Sequence, residues 1–348
     1  LSDAAILNAR GFVDDAEPAS LPWAENPARE FRDGQEGPIM IIENEEQLTQ
    51  AVLDETRRTP DPRLKEILQA LIRHLHGFAR EVRLTEKEFD QAISLVAKLG
   101  QMTTPSHNEV RLISGSLGLS ALVCLMNNGE GGETTANLLG PFWRAGSPRT
   151  PNGGSIVRSP TPGVPLFFTG KVVDRQGLPV AGAEVDVWHA STVGLYENQD
   201  PTQAEWNLRG KFTTDENGIF AYRSIKPAGY PVPPDTVTEQ FLIAQGRHPM
   251  RPAHLHSLIY KPGFKTQASQ VYSADDAHLE TDAQFGPTKA LIGHYVLHES
   301  EPAPDPDVTG PWYSLDHTFV LEAGESWLPT PPVSGKAETR VAVRAETV

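Results

Sequence analysis

Arg251-Pro-Ala-His-Leu-His-Ser-Leu-Ile-Tyr260 is the stretch from which the fold is read. From His254 onward it is a short apolar run of strand type. Positions i and i+2 of a strand project from one face, so His254 and His256 can converge on one point. Working outward, similar runs recur. Leu166–Asp174 reads as a strand followed by a Gln176-Gly177 turn, and Ala183–Ala190 alternates small or apolar residues with polar ones. Residues 211–214 and Ile219–Ile225 flank the turn signal Asp215-Glu-Asn-Gly218. Further strands are expected at 238–244, 254–260, 268–272 and 316–322. Many short strands with Gly/Pro turns and little intervening helix indicate an antiparallel β-sandwich.

The N-terminal third reads differently. Asn44 with Glu45 and Glu46 signals a helix start, as does Pro62, and Thr85-Glu-Lys-Glu88 is a capping box. Leu64, Ile67, Leu68, Leu71, Ile72 and Leu75 recur at helical spacing, as do Phe89, Ile93, Val96 and Leu99. A fourth helix is expected over 106–127, buried at its apolar end. These stripes are expected to pack into a core, with part of their surface hidden in a dimer. The predicted class is mainly β with an N-terminal helical part. The expected division is an extended arm over 1–44 (with Pro38–Ile42 as strand or anchor), a helical dimerisation domain over 45–130, a β-sandwich catalytic domain over 131–328 and a peripheral tail over 329–348.

Composition narrows the function. The 348 residues carry a net charge of -15, which argues against nucleic acid or an anionic membrane as the main partner. The single cysteine, Cys124, excludes an intrachain disulfide framework and a thiolate cluster, and its apolar setting reads as a buried small hydrophobe. No apolar run of about eighteen residues is present, and the N-terminal stretch lacks the pattern of a signal peptide. The expectation is a soluble, cytoplasmic protein.

The chemistry rests on a combination. Tyr230 sits in a rigid Pro-Ala-Gly-Tyr-Pro-Val-Pro-Pro frame, and Tyr196 follows an apolar strand and a turn. Singly, a tyrosine on a strand is a packing residue, and His-X-His alone serves zinc or nothing. Together with His254 and His256 they point to a mononuclear ferric site. A hard trivalent cation prefers anionic oxygen donors, and a phenol titrating near pH 10 stays ionised only beside strong positive charge. Zinc favours Cys, His and carboxylates. A zinc hydrolase of the barrel type would alternate strands and helices, unlike residues 160–322. A silent binding module is the third reading. Arg251 reads as an ion-pair residue, or, beside such a cation, as a guanidinium that stabilises charge on a bound diolate. His74, His76, His189, His294 and His298 read as structural or surface residues.

Arg251-Pro-Ala-His-Leu-His256, Gly229-Tyr-Pro-Val-Pro233, Val187-Trp-His-Ala190 with Tyr196 beyond it, Pro262-Gly-Phe-Lys-Thr266 and Ser269-Gln-Val-Tyr272 resemble the intradiol ring-cleaving dioxygenases. The likeness covers roughly residues 45 to 300. It implies a non-haem Fe(III) held by Tyr196, Tyr230, His254 and His256, with Arg251 and Gln270 lining the site. It also implies a homodimer through the N-terminal helices, in several members with a phospholipid in a hydrophobic tunnel. Around the ring it implies Leu112, Gly115, Pro141, Phe142, Val232, Pro233 and Gln284. Phe142, the aromatic after Gly140-Pro141, is like that of hydroxyquinol enzymes, whereas Gly115 stands where those enzymes usually have aspartate. Gln284 is polar where the wall is usually apolar, which suits a larger or more polar ring substituent. The implied reaction is O2-dependent cleavage between the two hydroxylated carbons, on hydroxyquinol in preference to catechol, with Tyr230 leaving the metal as the diol binds.

Overall fold

The computed structural model describes residues 41–128 and 133–342. Among these, residues up to Ala97 form one compact unit and those from Lys98 onward a second. The boundary therefore falls within a helix near 97, not near 130. Of the expected arm, 1–40 lies outside the described residues, and Ile41 and Ile42 are exposed.

In the smaller unit, α1 (Glu45–Thr56), α2 (Pro62–Glu81) and the start of α3 (Glu86–Gln101) begin where their caps predict. The Asn44 side chain accepts from Gln47 N, and Asp61 accepts from Arg63 N and Leu64 N. Thr85 and Glu88 close a reciprocal capping box, Thr85 N to Glu88 Oε2 at 2.9 Å and Glu88 N to Thr85 Oγ1 at 3.3 Å. The expected core packing of the stripes is corrected: no residue of α2 or α3 is buried, and Ile67, Leu71, Leu75, Phe78, Phe89, Ile93 and Val96 stay exposed within the chain.

In the larger unit the expected fourth helix is two. α4 (Glu109–Ser116) and α5 (Leu119–Asn127) meet at a 76° bend. Gly118 supplies the corner with a φ of +74°, a left-handed conformation that suits glycine. The apolar end is not buried as expected: Leu119, Leu122, Val123 and Met126 are exposed in this chain. Cys124 is half-buried, and burial pushes its thiol up to about 11, which disfavours the thiolate. No single described helix is long and apolar enough to cross a membrane.

The strands are β1 (Pro165–Asp174), β2 (Glu184–Trp188), β3 (Arg209–Thr213), β4 (Ile219–Ile225), β5 (Tyr230–Pro231), β6 (Met250–Arg251), β7 (His254–Tyr260), β8 (Gln267–Ser273), β9 (Ile292–Gly293), β10 (Val296–His298) and β11 (Trp312–Leu321). They form sheets ordered β10-β11-β1-β4 and β3-β2-β7-β8-β9, with β5 and β6 as a separate pair. Phe168, Val172, Phe220, Leu315 and Phe319 of the first sheet meet Val185, Val187, Phe212, Leu255, Ile259 and Val271 of the second in one apolar core. Burial of this area is the main stabilising term of the sandwich. The sheets are mixed, not strictly antiparallel, because β1 pairs parallel with β11 and β8 parallel with β9.

Residues 238–244 are not a strand. They lie in α6 (Val237–Ala244), whose Thr236 cap accepts from Glu239 N while the Glu239 carboxylate accepts from Asp235 N. That Thr-X-X-Glu box was legible in the sequence, and it outweighs the β-branched composition. The tail is also corrected. Residues 332–341 are not peripheral: Val333 is buried, Ser334 N and Gly335 N donate to Pro105 O, and Ala337 N and Val341 N donate to the backbone of Asn198 and Gln199.

Candidate metal centre

β7 places His254 and His256 on one face, and its neighbours follow by register. His254 faces Tyr272 and His256 faces Gln270 on β8, while Trp188 on β2 faces His256. The Trp188 indole stacks on the His256 ring at 4.6 Å and 9°. The short β5–β6 pair sets Tyr230 opposite Arg251. Tyr196 ends the turn after β2, where Gly194 has a φ of +78°; a Cβ there would stand 2.6 Å from Tyr230 Cβ. Glycine at 194 thus lets the two tyrosine segments touch.

Four donor atoms converge. Tyr196 Oη is 2.8 Å from Tyr230 Oη, 3.4 Å from His254 Nε2 and 3.0 Å from His256 Nε2. Tyr230 Oη is 3.3 Å from His254 Nε2, and the two Nε2 atoms are 3.1 Å apart. A tetrahedron with edges of this size has its centre about 2 Å from each corner, the bond length of a first-row metal to nitrogen or oxygen.

The protonation states fit the same purpose. His254 Nδ1 donates to Pro252 O at 2.7 Å, which leaves Nε2 with a free lone pair. Burial pushes this imidazole down to about 3, and the Arg251 charge acts in the same direction. His256 is held well below the ordinary histidine value by burial and then by His254. Burial raises the Tyr196 phenol well above its usual value, with Tyr230 adding to the effect. Burial also raises Tyr230, against the opposing pull of Arg251. The protein alone keeps all four neutral, so ionised phenols here require a strongly charged cation. Among the described residues no cluster of three His, Cys, Asp or Glu could hold a metal. Two phenol oxygens and two imidazole nitrogens are a donor set that suits a hard ion better than zinc.

Arg251 is almost wholly buried, not a surface ion-pair residue. Its Nε and Nη2 each lie 3.0 Å from an Asp282 oxygen, and Nη2 also donates to Gln270 Oε1 at 3.0 Å and Tyr272 Oη at 3.2 Å. Nη1 is left facing His254 Nε2 at 3.3 Å. Burial works against the guanidinium charge, but Asp282 outweighs it and holds the group firmly protonated. Gln270 Nε2 donates to Leu138 O at 2.7 Å, tying Arg251 to the wall segment.

The expected wall residues are all buried. Phe142 lies 4.6 Å from the Tyr196 ring, and Gly140, preceding Pro141, approaches so closely that a Cβ would stand 3.1 Å from His256 Cε1. Leu112 and Val232 share an apolar cluster with Leu242 and Ala283, and Pro233 O accepts from Thr236 Oγ1 at the start of α6. Gln284 fills the room beside Gly115: a Cβ on Gly115 would be 2.6 Å from Gln284 Oε1. Sequence reasoning missed Asp282 and gave no role to Trp188 and Tyr272, which it quoted only as parts of motifs. Trp188 and Tyr272 reach the site by cross-strand register, and Asp282 lies 31 positions beyond Arg251 in a loop, so their contacts had no local signal.

The chain resembles known proteins over most of its length. A family model described as dioxygenase matches residues 139–319, and one described as the catechol dioxygenase N terminus matches 61–135. The chain is 37% identical over 281 residues to hydroxyquinol 1,2-dioxygenase of Rhizobium sp. (strain MTP-10005), covering 80% of this chain and 95% of that one. It is 39% identical over 275 residues to 6-chlorohydroxyquinol 1,2-dioxygenase of Cupriavidus pinatubonensis, covering 79% and 96%. The solved structure of hydroxyquinol 1,2-dioxygenase from Pseudomonas putida DLL-E4 superposes with a TM-score of 0.70 at 36% identity, covering 80% of this chain and 99% of that one. The chain belongs to the intradiol ring-cleavage dioxygenase family, and it is an enzyme of that class.

Proposed function

We propose that this dioxygenase cleaves hydroxyquinol (benzene-1,2,4-triol) between its adjacent hydroxylated carbons, giving 3-hydroxy-cis,cis-muconate, the tautomer of maleylacetate. One Fe(III) per subunit would be held by Tyr196, Tyr230, His254 and His256. The observation that carries the reading is the convergence of two phenol oxygens and two imidazole nitrogens within 2.8–3.4 Å of one another.

Bound there, Fe(III) supplies Lewis acidity and draws charge from the diolate, making the ring reactive toward O2. The chain's own residues do the rest. Tyr230 would be one of the groups holding the ion in the free enzyme, and its phenol oxygen is placed to take a proton from the incoming diol. Tyr196 would help hold the ion, with its ring packed 4.6 Å from Phe142 and edge-on to Tyr230 at 5.6 Å. Arg251, with Nη1 turned to the donor cluster, stabilises negative charge that builds on the substrate. Gln270 is a positioning residue, since both ends of its amide are engaged by Arg251, Tyr272 and Leu138. Leu112, Pro141, Phe142, Val232 and Pro233 form the wall that excludes water. Gln284, whose Nε2 donates to Leu112 O at 3.4 Å beside Gly115, is a polar group in the expected wall, and we assign its Oε1 to the third hydroxyl of the ring.

The exposed apolar stripes of α2 and α3 support a homodimer through the N-terminal helices, with a phospholipid between them, and the enzyme is assigned to the cytoplasm. Cell fractionation and lipid extraction test the last two points. For the site, the purified protein should be burgundy from tyrosinate-to-iron charge transfer, and Tyr196→Phe and His254→Ala should each lose colour and iron. Oxygen uptake should be faster with hydroxyquinol than with catechol or chlorinated catechols. A colourless enzyme that turns over fully without iron would refute the site, and a preference for catechol would refute the substrate.

A further inference from the structure

The C-terminal segment lies beyond the residues matched by either family model, yet it is built into the wall behind both tyrosines. Asn108 Nδ2 donates to Pro332 O at 3.1 Å, and Ser334 N and Gly335 N donate to Pro105 O at 2.8 and 2.9 Å. From that anchor the chain runs along the short 3-10 turn Glu197–Gln199 that follows Tyr196. Ala337 N donates to Asn198 O at 2.7 Å and Val341 N to Gln199 O at 3.0 Å. Val341 and Ala342 then line a small cleft with Gly194, Leu195, Tyr230 and Pro231. The same segment thus contacts the Tyr196 side and reaches the Tyr230 side.

Its charges complete an ionic cluster. Glu197, next to Tyr196 and almost wholly buried, pairs through Oε1 with Arg144 and Arg209, each at 2.7 Å. Its Oε2 has no hydrogen-bond partner among the described residues, and Lys336 Nζ lies 3.8 Å from it. Lys336 Nζ is itself fixed by donating to Gln203 O at 2.8 Å. Arg340 Nε lies 3.2 Å from Asp200 Oδ2, a carboxylate that is only 4% exposed. Lys336 adds a third positive charge beside a buried carboxylate whose Oε2 is otherwise unsatisfied, which favours its docked position. The Glu197–Gln199 turn in turn holds Tyr196, whose backbone N–H donates to Gln199 Oε1 at 3.1 Å.

We propose that residues 332–341 are a strap that positions the Tyr196 and Tyr230 segments, with Lys336 and Arg340 as its positioning residues. The proposal rests on the reading of the two tyrosines as iron ligands, and it assigns the strap the task of keeping their hydroxyls in register. An unstrapped pair of segments would bind the diol less tightly, because ordering them would then be charged to substrate binding.

The experiment compares the full chain with a Lys336→Met/Arg340→Met double variant, the conservative Lys336→Arg/Arg340→Lys double variant, and a chain ending at Gly335. Hydrogen–deuterium exchange is read for peptides spanning 194–200 and 228–234, with peptides of β1 and β7 as internal controls of folding. In the Met variant and the shortened chain, both tyrosine peptides should exchange faster while the β1 and β7 peptides do not change. The tyrosinate absorption band should shift, and KM for hydroxyquinol should rise about fivefold with a smaller change in kcat. The conservative variant should restore all three. Unchanged exchange in the two tyrosine peptides, or an unmoved band and KM, would overturn the strap. An iron-free full-length protein would overturn the ligand reading instead, and the exchange comparison would still decide the strap.

Discussion

Arg251 illustrates how one residue type changes meaning with burial. In water a guanidinium–carboxylate pair contributes little. Here Arg251 and Asp282 neutralise each other inside the protein, and the pairing leaves Nη1 facing the donor cluster. Asp282→Ala would strand a buried cation, so stability should fall by about 3–5 kcal/mol. Turnover should fall with it as Arg251 loses its orientation. Denaturant unfolding together with kcat/KM measures both effects. His189 carries a second prediction. It donates from Nδ1 to Ala190 O and accepts at Nε2 from Ser224, and burial pushes it down to about 4. The unfolded histidine titrates near pH 6.5. Stability from this group is complete above that value and is lost as pH falls toward 4, because the unfolded chain binds the proton first. Between pH 7 and 5 the loss should be about 2 kcal/mol. His189→Gln should flatten that slope, as read from urea midpoints across the range.

At the scale of elements, local chemistry was legible wherever it is local. Asn44, Pro62, Thr85 and the Ile219–Ile225 strand were all found from short motifs. Two elements misled. Residues 238–244 look like a strand by composition, but the Thr236–Glu239 box starts a helix whose capping bonds a strand would forgo. The 106–127 run has one apolar pattern, yet Gly118 turns it through a corner. Alanine at 118 would meet only ordinary contact with Phe285, so its cost is backbone strain. Gly118→Ala should destabilise by about 1–2 kcal/mol, visible as a lower thermal midpoint. Gly194→Ala, by contrast, faces both strain and the Tyr230 Cβ, and it should perturb the tyrosinate absorption as well as stability.

Over the whole molecule, the apolar faces of α2 and α3 predict association. Leu71→Glu/Phe78→Glu should convert a dimer to monomers in sedimentation velocity, while a wild type that sediments as a monomer would refute the proposed dimer. The amino-acid sequence alone determined the sandwich class, the helix starts and the shared strand face of His254 and His256. Those features rest on strand alternation and capping, which act over a few residues. Tertiary structure alone decided the parallel pairings, the Asp282 clamp on Arg251, the Trp188 stack on His256 and the docking of 332–341 behind the tyrosines. Each of these joins residues far apart in the chain. Their pairing is selected by which arrangement buries apolar surface and neutralises buried charge for the whole fold, and no short stretch of sequence carries that balance.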